Sequence, residues 1–415
     1  MKGPGLAVMA WRNLWRNRRR TIVTALSIAF GIMLAVLFTG LGDLNYTNMI
    51  NLAARLGTGH VTIQHPGYQD APSLKRTVTG VSALQKTVLG ERNVLRAVPR
   101  ITGQTMLATA GQSYGAYFMA IDPAAEDRST LSLLEAIKEG KMFESAGSRG
   151  IVVGRRLADN LNLKLGRKVV YTMTDKEGEI VSGLARVTGI LETGAPSIDG
   201  TFCMLPIGTL REALGYGPDE ATHVAIFISD QRKSYEVAAR VRAAVGGRVA
   251  VLTWHDTQPE ISGFVSMKVG GMRFLELVIL FLVAAGILNT LLVSVLERMR
   301  EFGIMMALGF SPGRLFGLVM WESLWLGLVG VVTSVLLTAG PYYTMNTRGL
   351  DFSAMLGSTG GNVAGVVLDP ILRCAIYPEN AAAIVIIVLL ATLLSGVYPA
   401  WKAGRVVPVE SIKLV

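Results

Sequence analysis

Long unbroken apolar runs alternate along this chain with stretches in which polar and apolar residues interleave. Thr21 to Gly42, "TIVTALSIAFGIMLAVLFTGLG", carries no charge over 22 residues, and about 20 apolar residues make a helix that spans a bilayer. Three further runs follow, Phe274–Leu296, Leu315–Ala339 and Ala381–Ala400. The pattern predicts four spans at 21–43, 272–296, 313–340 and 380–401. The first run is too long for a signal-peptide core, and "DLNYTNMI" after it offers no small-residue cleavage site. It is therefore expected to remain as an anchor.

Between the first two runs, residues 44–270 have the periodicities of a folded α/β domain. "GHVTIQHP" alternates and predicts a strand, and "VSALQKTVLGERNVLRAV" predicts a helix leading into a strand. "ATHVAIFISD", "KSYEVAARVRAAV" and "RVAVLTW" predict a strand–helix–strand unit. A middle block, about 111–215, separates these pieces, and "DKEG" at Asp175–Gly178 marks a hairpin turn inside it. Split pieces around an insertion predict two subdomains, one near the membrane and one distal.

Charge refines this picture. Only 17% of residues are charged, below the roughly 25% usual for soluble domains yet too many for a protein buried wholly in lipid. Residues 1–20 hold six basic residues and no acidic one, whereas residues 21–296 hold 26 basic and 23 acidic. The excess flanks an apolar run instead of marking a folded domain. That argues against nucleic acid as a partner and for the positive-inside rule. The N-terminus is then inside, and four spans leave both termini cytoplasmic. Residues 44–270 and 341–379 lie outside, and 297–312 lies inside. Trp11 and Trp15, four apart among arginines, predict that residues 1–20 form an elbow helix at the inner headgroup level. Residues 402–415 form a cytoplasmic tail.

Candidate chemistry is sparse. The two cysteines are far apart, and the four histidines show no metal-ligand spacing. No HExxH motif or zinc-type cluster occurs, and no catalytic residue and no metal site is assigned. Asp122, Glu126 and Asp127 read as a solvated turn. No GxxxxGK[ST] phosphate loop is present, so ATP, if used, is expected to be held by another subunit.

One interruption between apolar runs stands out, "ERMREFGIMMALGFSP", Glu297 to Pro312. Met299, Phe302, Met306 and Phe310 recur at helical spacing, while Glu297, Arg298, Arg300 and Glu301 point elsewhere. Glu297 and Arg300 are placed to pair at i,i+3. Gly309 suits a helix C-cap, and Ser311-Pro312 suits the start of the next helix. Asn289 and Glu322 fall inside apolar runs. An interhelical hydrogen bond is the expectation for the first and a buried polar network for the second.

The order of these features resembles the permease subunits of type VII ABC transporters, the family of MacB, LolC/LolE and FtsX. "AWRNLWRNRRRTIVTALSIAFGI" is similar to the family's elbow and first span, and "IVVGRRLADNLNLKLGRKV" to a block of its outer domain. "ERMREFGIMMALGFSP" looks like its coupling segment and "YPAWKAGRVVPVESIK" like its C-terminal signature. The large outer domain and "GTGHVTIQHPGY" look most like the lipoprotein-releasing LolC/LolE branch.

The resemblance implies a membrane protein of four transmembrane α-helices with a large α/β periplasmic domain, of Porter- and Sabre-like subdomains, between helices 1 and 2. It implies a second permease copy or paralogue, and a cytoplasmic ATPase dimer of LolD/MacB type that holds the ATP and Mg. No cofactor binds the permease directly, and the assembly sits in a bacterial inner membrane. Glu297, Arg298, Arg300, Glu301, Phe302, Met306 and Gly309 would form the ATPase-coupling knob. Ala35, Phe38, Leu41, Phe274, Val278 and Phe281 would line a substrate or lipid cavity. The implied function is extraction of lipoprotein or another lipid-linked client from the outer leaflet by mechanotransmission. MacB-like export and FtsX-like activation of a periplasmic cell-wall hydrolase are the alternatives. One departure concerns a periplasmic carrier or adaptor as partner. LolC-type proteins hold their carrier with a long hairpin, and this chain has only "TDKEGEI" there, with Gly166-Arg167 where the family has Gly-Asp.

Overall fold

A computed structural model of the protein describes residues 5–356, 362–363, 366–367 and 370–405. The tail predicted at 402–415 therefore lies mostly outside the described residues. The chain divides into two compact units, a helical one (Met1–Asn45, Met267–Asp351 and Ile371–Val415) and an α/β one (Tyr46–Ser266 with Phe352–Pro370).

Four helices are long and apolar enough to cross a membrane: Arg18–Leu56, Pro259–Glu297, Pro312–Thr347 and Pro378–Gly404. All four exceed their predicted bounds. The first two have 39 residues each, about 58 Å at 1.5 Å per residue, nearly twice the hydrocarbon thickness. The prediction stopped where polar residues resume, but a helix leaving the apolar layer needs only helix-forming residues, and "NMINLAARL" supplies them.

Close backbone approach holds the helical unit together. A Cβ on Gly330 would stand 2.6 Å from Ile28, so only glycine lets the third long helix meet the first there. The elbow helix, Leu6–Arg16, lies against the third long helix. The Trp325 indole N–H donates to the Ala7 carbonyl at 3.0 Å, and the Trp11 ring meets Trp325 edge-on at 5.1 Å. The elbow ends at Asn17, and the Thr21 hydroxyl donates back to the Leu14 carbonyl at 2.5 Å, fixing the bend into the first long helix.

In the α/β unit the 15-residue strand Val94–Ala108 organises everything. One half belongs to an antiparallel sheet ordered Ala250–Thr253, Val61–Gln64, His223–Ile228, Val94–Ala108. Helix Ser234–Val245 connects two of these strands, with Val61–Gln64 between them, so the predicted strand–helix–strand unit is split. The other half enters a closed ring. Val94–Ala108 pairs with Ser113–Ile121, then come Phe202–Pro206, Gly150–Gly154, Ile180–Leu191 and Lys168–Thr174, which returns to Val94–Ala108. A six-stranded barrel with no free edge results, its centre filled by residues such as Leu107, Phe118, Val153, Tyr171 and Val187. The two subdomains expected from the sequence thus share one strand.

Of the three acidic residues read as a solvated turn, Asp127 is exposed and Asp122 half-buried, but burial contradicts the reading for Glu126. Glu126 is buried and forms a bidentate ion pair with the fully buried Arg100, at 2.7 and 2.9 Å. Arg100 also donates to the carbonyls of Thr130, at 2.8 Å, and Gly57. A single guanidinium thereby ties two loops, one at Gly57 and one holding Glu126 and Thr130, to the central strand.

Two histidines are buried nearby. The Nε2 of His60 bonds Asn51 Oδ1 at 2.8 Å, and the Ile228 N–H points at His60 Nδ1 at 3.4 Å. Burial, reinforced by the Arg55 charge, lowers His60 to about 4. Burial and the Arg100 charge lower His223 to about 3. Both are neutral in the folded unit at pH 6.5, the ordinary histidine value. Below that the unfolded chain binds protons that the folded one excludes, so stability is lost as pH falls from about 6.5 toward 4. Thermal midpoints of the full chain across this window should decline. His60→Gln, which keeps a donor and an acceptor without titrating, should flatten the slope; an unchanged slope would exclude His60 as a contributor.

Candidate functional site

The second long helix ends at Glu297, breaks at Arg298 and resumes as the short helix Met299–Ala307. That helix closes with paired reverse bonds. The Gly309 N–H donates to the Met306 carbonyl and the Phe310 N–H to the Met305 carbonyl, both at 3.0 Å. Gly309 has a φ of +94°, a left-handed conformation that suits glycine at this position. Pro312 then opens the third long helix, with Ser311 as N-cap residue but without a side-chain capping bond.

The apolar stripe of this segment faces its own chain. Phe302 is 0% exposed and packs in a cluster with Ala10, Val295, Leu315, Leu318, Val319, Ala400 and Ala403, joined by Met299, Met305, Met306 and Phe310. Phe302 therefore cannot be a knob in a partner's groove, and Met306 sits partly buried beside it. The exposed apolar residues are instead Ile304 and Leu308, the latter 79% exposed. An amphipathic pattern identifies a buried face without saying what covers it, and here the chain covers it itself.

The charged residues form a network that periodicity did not reveal. Glu322 is buried in the third long helix. It accepts from Arg298 Nη1 at 2.9 and 3.0 Å and from Asn13 Nδ2 of the elbow at 2.9 Å. Arg298 also contacts Glu301 at 3.2 Å. Arg16 pairs with Glu301, and Arg20 with Glu297, each at 2.6 Å. The pair expected between Glu297 and Arg300 does not form. Glu297 turns to Arg20, and Arg300 is exposed, with no ion pair among the described residues. Desolvation works against the charged Glu301, but hydrogen bonds from Arg16 and Arg298 hold its carboxyl below the usual range.

Asn13, Arg16 and Arg20 were missed as site residues. The available signal was spacing: Arg16 and Arg20 are four apart, and so are Glu297 and Glu301.

A second feature is an apolar cavity of about 340 Å³ among the first, second and fourth long helices, lined among others by Gly31, Ala35, Leu280, Val283, Ile384 and Val388. Arg273 and Glu276 supply its charge, and the Thr39 hydroxyl donates to Glu276. Of the six residues expected to line such a cavity, only Ala35 does. Phe274, Val278 and Phe281 lie on the exposed face of the second long helix, Phe38 is exposed, and Leu41 is half-buried outside the lining. Depth near the outer leaflet picked out these residues, but depth does not fix the face, and the lining falls on the adjacent face of the helix. Asn289 is also exposed and makes no side-chain hydrogen bond among the described residues. Its expected interhelical bond is therefore absent among the described residues.

Comparison with known proteins places both units. Residues 21–244 match the MacB-like periplasmic core domain, and residues 273–408 match the FtsX-like permease C-terminal family. The lipoprotein-releasing system transmembrane protein LolC of Neisseria meningitidis is 25% identical over 78% of this chain and 79% of its own length. The pyoverdine export ATP-binding/permease protein PvdT of Pseudomonas entomophila is 23% identical over 97% of this chain and 58% of its own length. The crystal structure of the periplasmic region of MacB from Actinobacillus actinomycetemcomitans is 14% identical, covers 52% of this chain and 98% of that one, and has a TM-score of 0.36.

The network gives an energetic expectation. Glu322→Leu would leave the Arg298 guanidinium with only the half-exposed Glu301 as partner and its buried Nη1 unmet, which should cost about 2–4 kcal/mol. Adding Arg298→Met should recover most of that loss. Phe302→Ala should cost a similar ~3–5 kcal/mol, and Arg300→Ala almost nothing. Unfolding of the full chain in detergent measures all four variants; a Glu322→Leu protein as stable as wild type would refute the paired geometry.

Proposed function

The chain belongs to the MacB-like and FtsX-like family of ABC transporter permeases, and from that footing we propose that it moves a lipid-linked client, with lipoprotein as the leading class, out of the outer leaflet of the inner membrane. The observation that carries this reading is the apolar cavity between spans. It offers an apolar lining for acyl chains and a polar end, Arg273 and Glu276, for the group to which they are attached. The similarity to LolC supports the same cargo class.

The energy would come from an ATPase outside these 415 residues, which hold no phosphate loop. With basic residues at 16–20 on the cytoplasmic side, Met299–Ala307 also faces the cytoplasm and both termini lie there. Ile304, Ala307 and Leu308 then present an exposed apolar tip between the exposed Arg300 and Arg314, which suits a groove in the ATPase. The buried network would make the segment a rigid lever, so that force applied at the tip reaches the second and third spans. A second permease copy or paralogue fits the exposed face of the second span, where Asn289 needs a hydrogen-bond partner in lipid.

Export of a soluble client is the second reading, favoured by the match to PvdT along nearly the whole chain. Stimulation of the ATPase separates the two. Reconstituted with its ATPase, the permease should respond to an acylated lipoprotein and not to the same protein without its acyl chains. Stimulation by a pyoverdine-type compound and by no acylated client would overturn the lipoprotein reading. Leu308→Glu should weaken ATPase association about tenfold or more while the thermal midpoint stays put. Unchanged association would remove the tip from the contact.

A further inference from the structure

A polar cavity of about 340 Å³ lies among the elbow helix, the start of the first long helix, the end of the second and the third. Its lining carries three guanidiniums, Arg16, Arg20 and Arg298, and three carboxylates, Glu297, Glu301 and Glu322. Its position is fixed by the apolar runs, since the first begins at Thr21 and the second ends at Leu296. On the membrane reading above, on which this inference rests, the cavity is level with the lipid headgroups.

Its charge is balanced, which decides what suits it. A bare anion or a bare cation would leave a net charge in a partly enclosed site, whereas a group carrying both charges would leave none. Donors remain for the negative end. Arg298 Nη2 is buried and has no hydrogen-bond acceptor among the described residues, an arrangement that costs free energy until an oxygen meets it. Acceptors remain for the positive end, because each outer carboxylate, on Glu297 and Glu301, can receive further bonds. The outer pairs Arg16–Glu301 and Arg20–Glu297 are partly exposed, so exchanging a partner costs little.

We propose that this cavity binds the headgroup of a zwitterionic phospholipid bearing a primary ammonium. The phosphate meets Arg298 and Arg20, and the ammonium meets Glu297 and Glu301. Such a lipid would bridge the elbow to the coupling segment, so inner-leaflet composition would bear on how firmly the two are joined.

The test uses the full chain, purified in detergent and confirmed to insert into bilayers. Insertion is scored separately, so that failure of the membrane reading is distinguished from failure of this one. Phosphatidylethanolamine, phosphatidylcholine and phosphatidylglycerol are added singly, and retention is read by native mass spectrometry alongside the thermal midpoint. Soluble glycerophosphoethanolamine is a further arm, and competition by it assigns the contact to the headgroup. Phosphatidylethanolamine should be retained best and should raise the midpoint. Phosphatidylcholine lacks N–H donors, and phosphatidylglycerol lacks the positive charge. Glu297→Gln should lower phosphatidylethanolamine retention about threefold without lowering that of phosphatidylglycerol, and Arg20→Gln should lower both. Equal retention of all three lipids, phosphatidylglycerol retained better, or indifference to Glu297→Gln would each overturn the proposal. Should Arg20→Gln fail to fold, Arg20→Lys, which keeps the charge and loses the fork, replaces it.

Discussion

The carboxylate of Glu322 sits about ten residues into an apolar helix, where an unpaired charge is intolerable. It must find donors, and among the described residues those it bonds are the Arg298 guanidinium and the Asn13 amide. That requirement fixes the helical unit. Arg298 is placed at the break between the second long helix and the short one, Asn13 on the elbow, and Glu322 on the third long helix. Satisfying one group therefore sets the position of three segments at once. Replacing such a pair with well-packed apolar residues is often neutral or stabilising. What the pair contributes is the choice of arrangement, since a displaced elbow or a rotated short helix would leave a charge unmet.

The same constraint divides the segment Glu297–Pro312 into two faces with different surroundings. Inward, Phe302 and its neighbours lock the helix onto the spans through a dry apolar contact. Outward, Ile304 and Leu308 are free. The proposed lever needs both, because a tip that could slide over the spans would dissipate any push. Partly exposed pairs such as Arg16–Glu301 add little stability each. They can open and re-form while the buried Arg298–Glu322 pair holds.

Much of this was readable from residues alone. The four long helices, the strand–helix–strand segments and the hairpin at Asp175–Gly178 follow from hydrophobic period and turn chemistry, which are local. The break at Gly309 was readable for the same reason, since a glycine followed by Ser-Pro leaves the backbone few alternatives. What stayed hidden was non-local. Nothing near Phe302 in sequence announces that Ala10, 292 positions away by numbering, and Ala403 will cover it. Helical period told which residues share a face, but not which neighbour that face meets, so Phe274, Val278 and Phe281 were placed on the cavity and Leu280 and Val283 were not. Glu126 was misread because three acidic residues in a turn look solvated until Arg100, 26 residues earlier, is seen to reach one of them.

Arg100 and Glu126 show that the α/β unit solves its own packing problem as the helical unit does. Among the described residues each unit encloses an arginine–glutamate pair, and each arginine also gathers other groups: carbonyls of residues 57 and 130 in one case, a second carboxylate in the other. Hydrophobic burial cannot do this alone, because it is non-directional and tolerates rotation and sliding of smooth apolar faces. A guanidinium has five donors in a rigid fork and accepts few alternatives. In a protein whose proposed task is to carry movement along its own length, stiffness at the joints matters more than total stability. The buried pairs stand at such joints: Arg100 where the first long helix, just past its end at Leu56, gives way to the sheet, and Arg298 where the second gives way to the coupling segment.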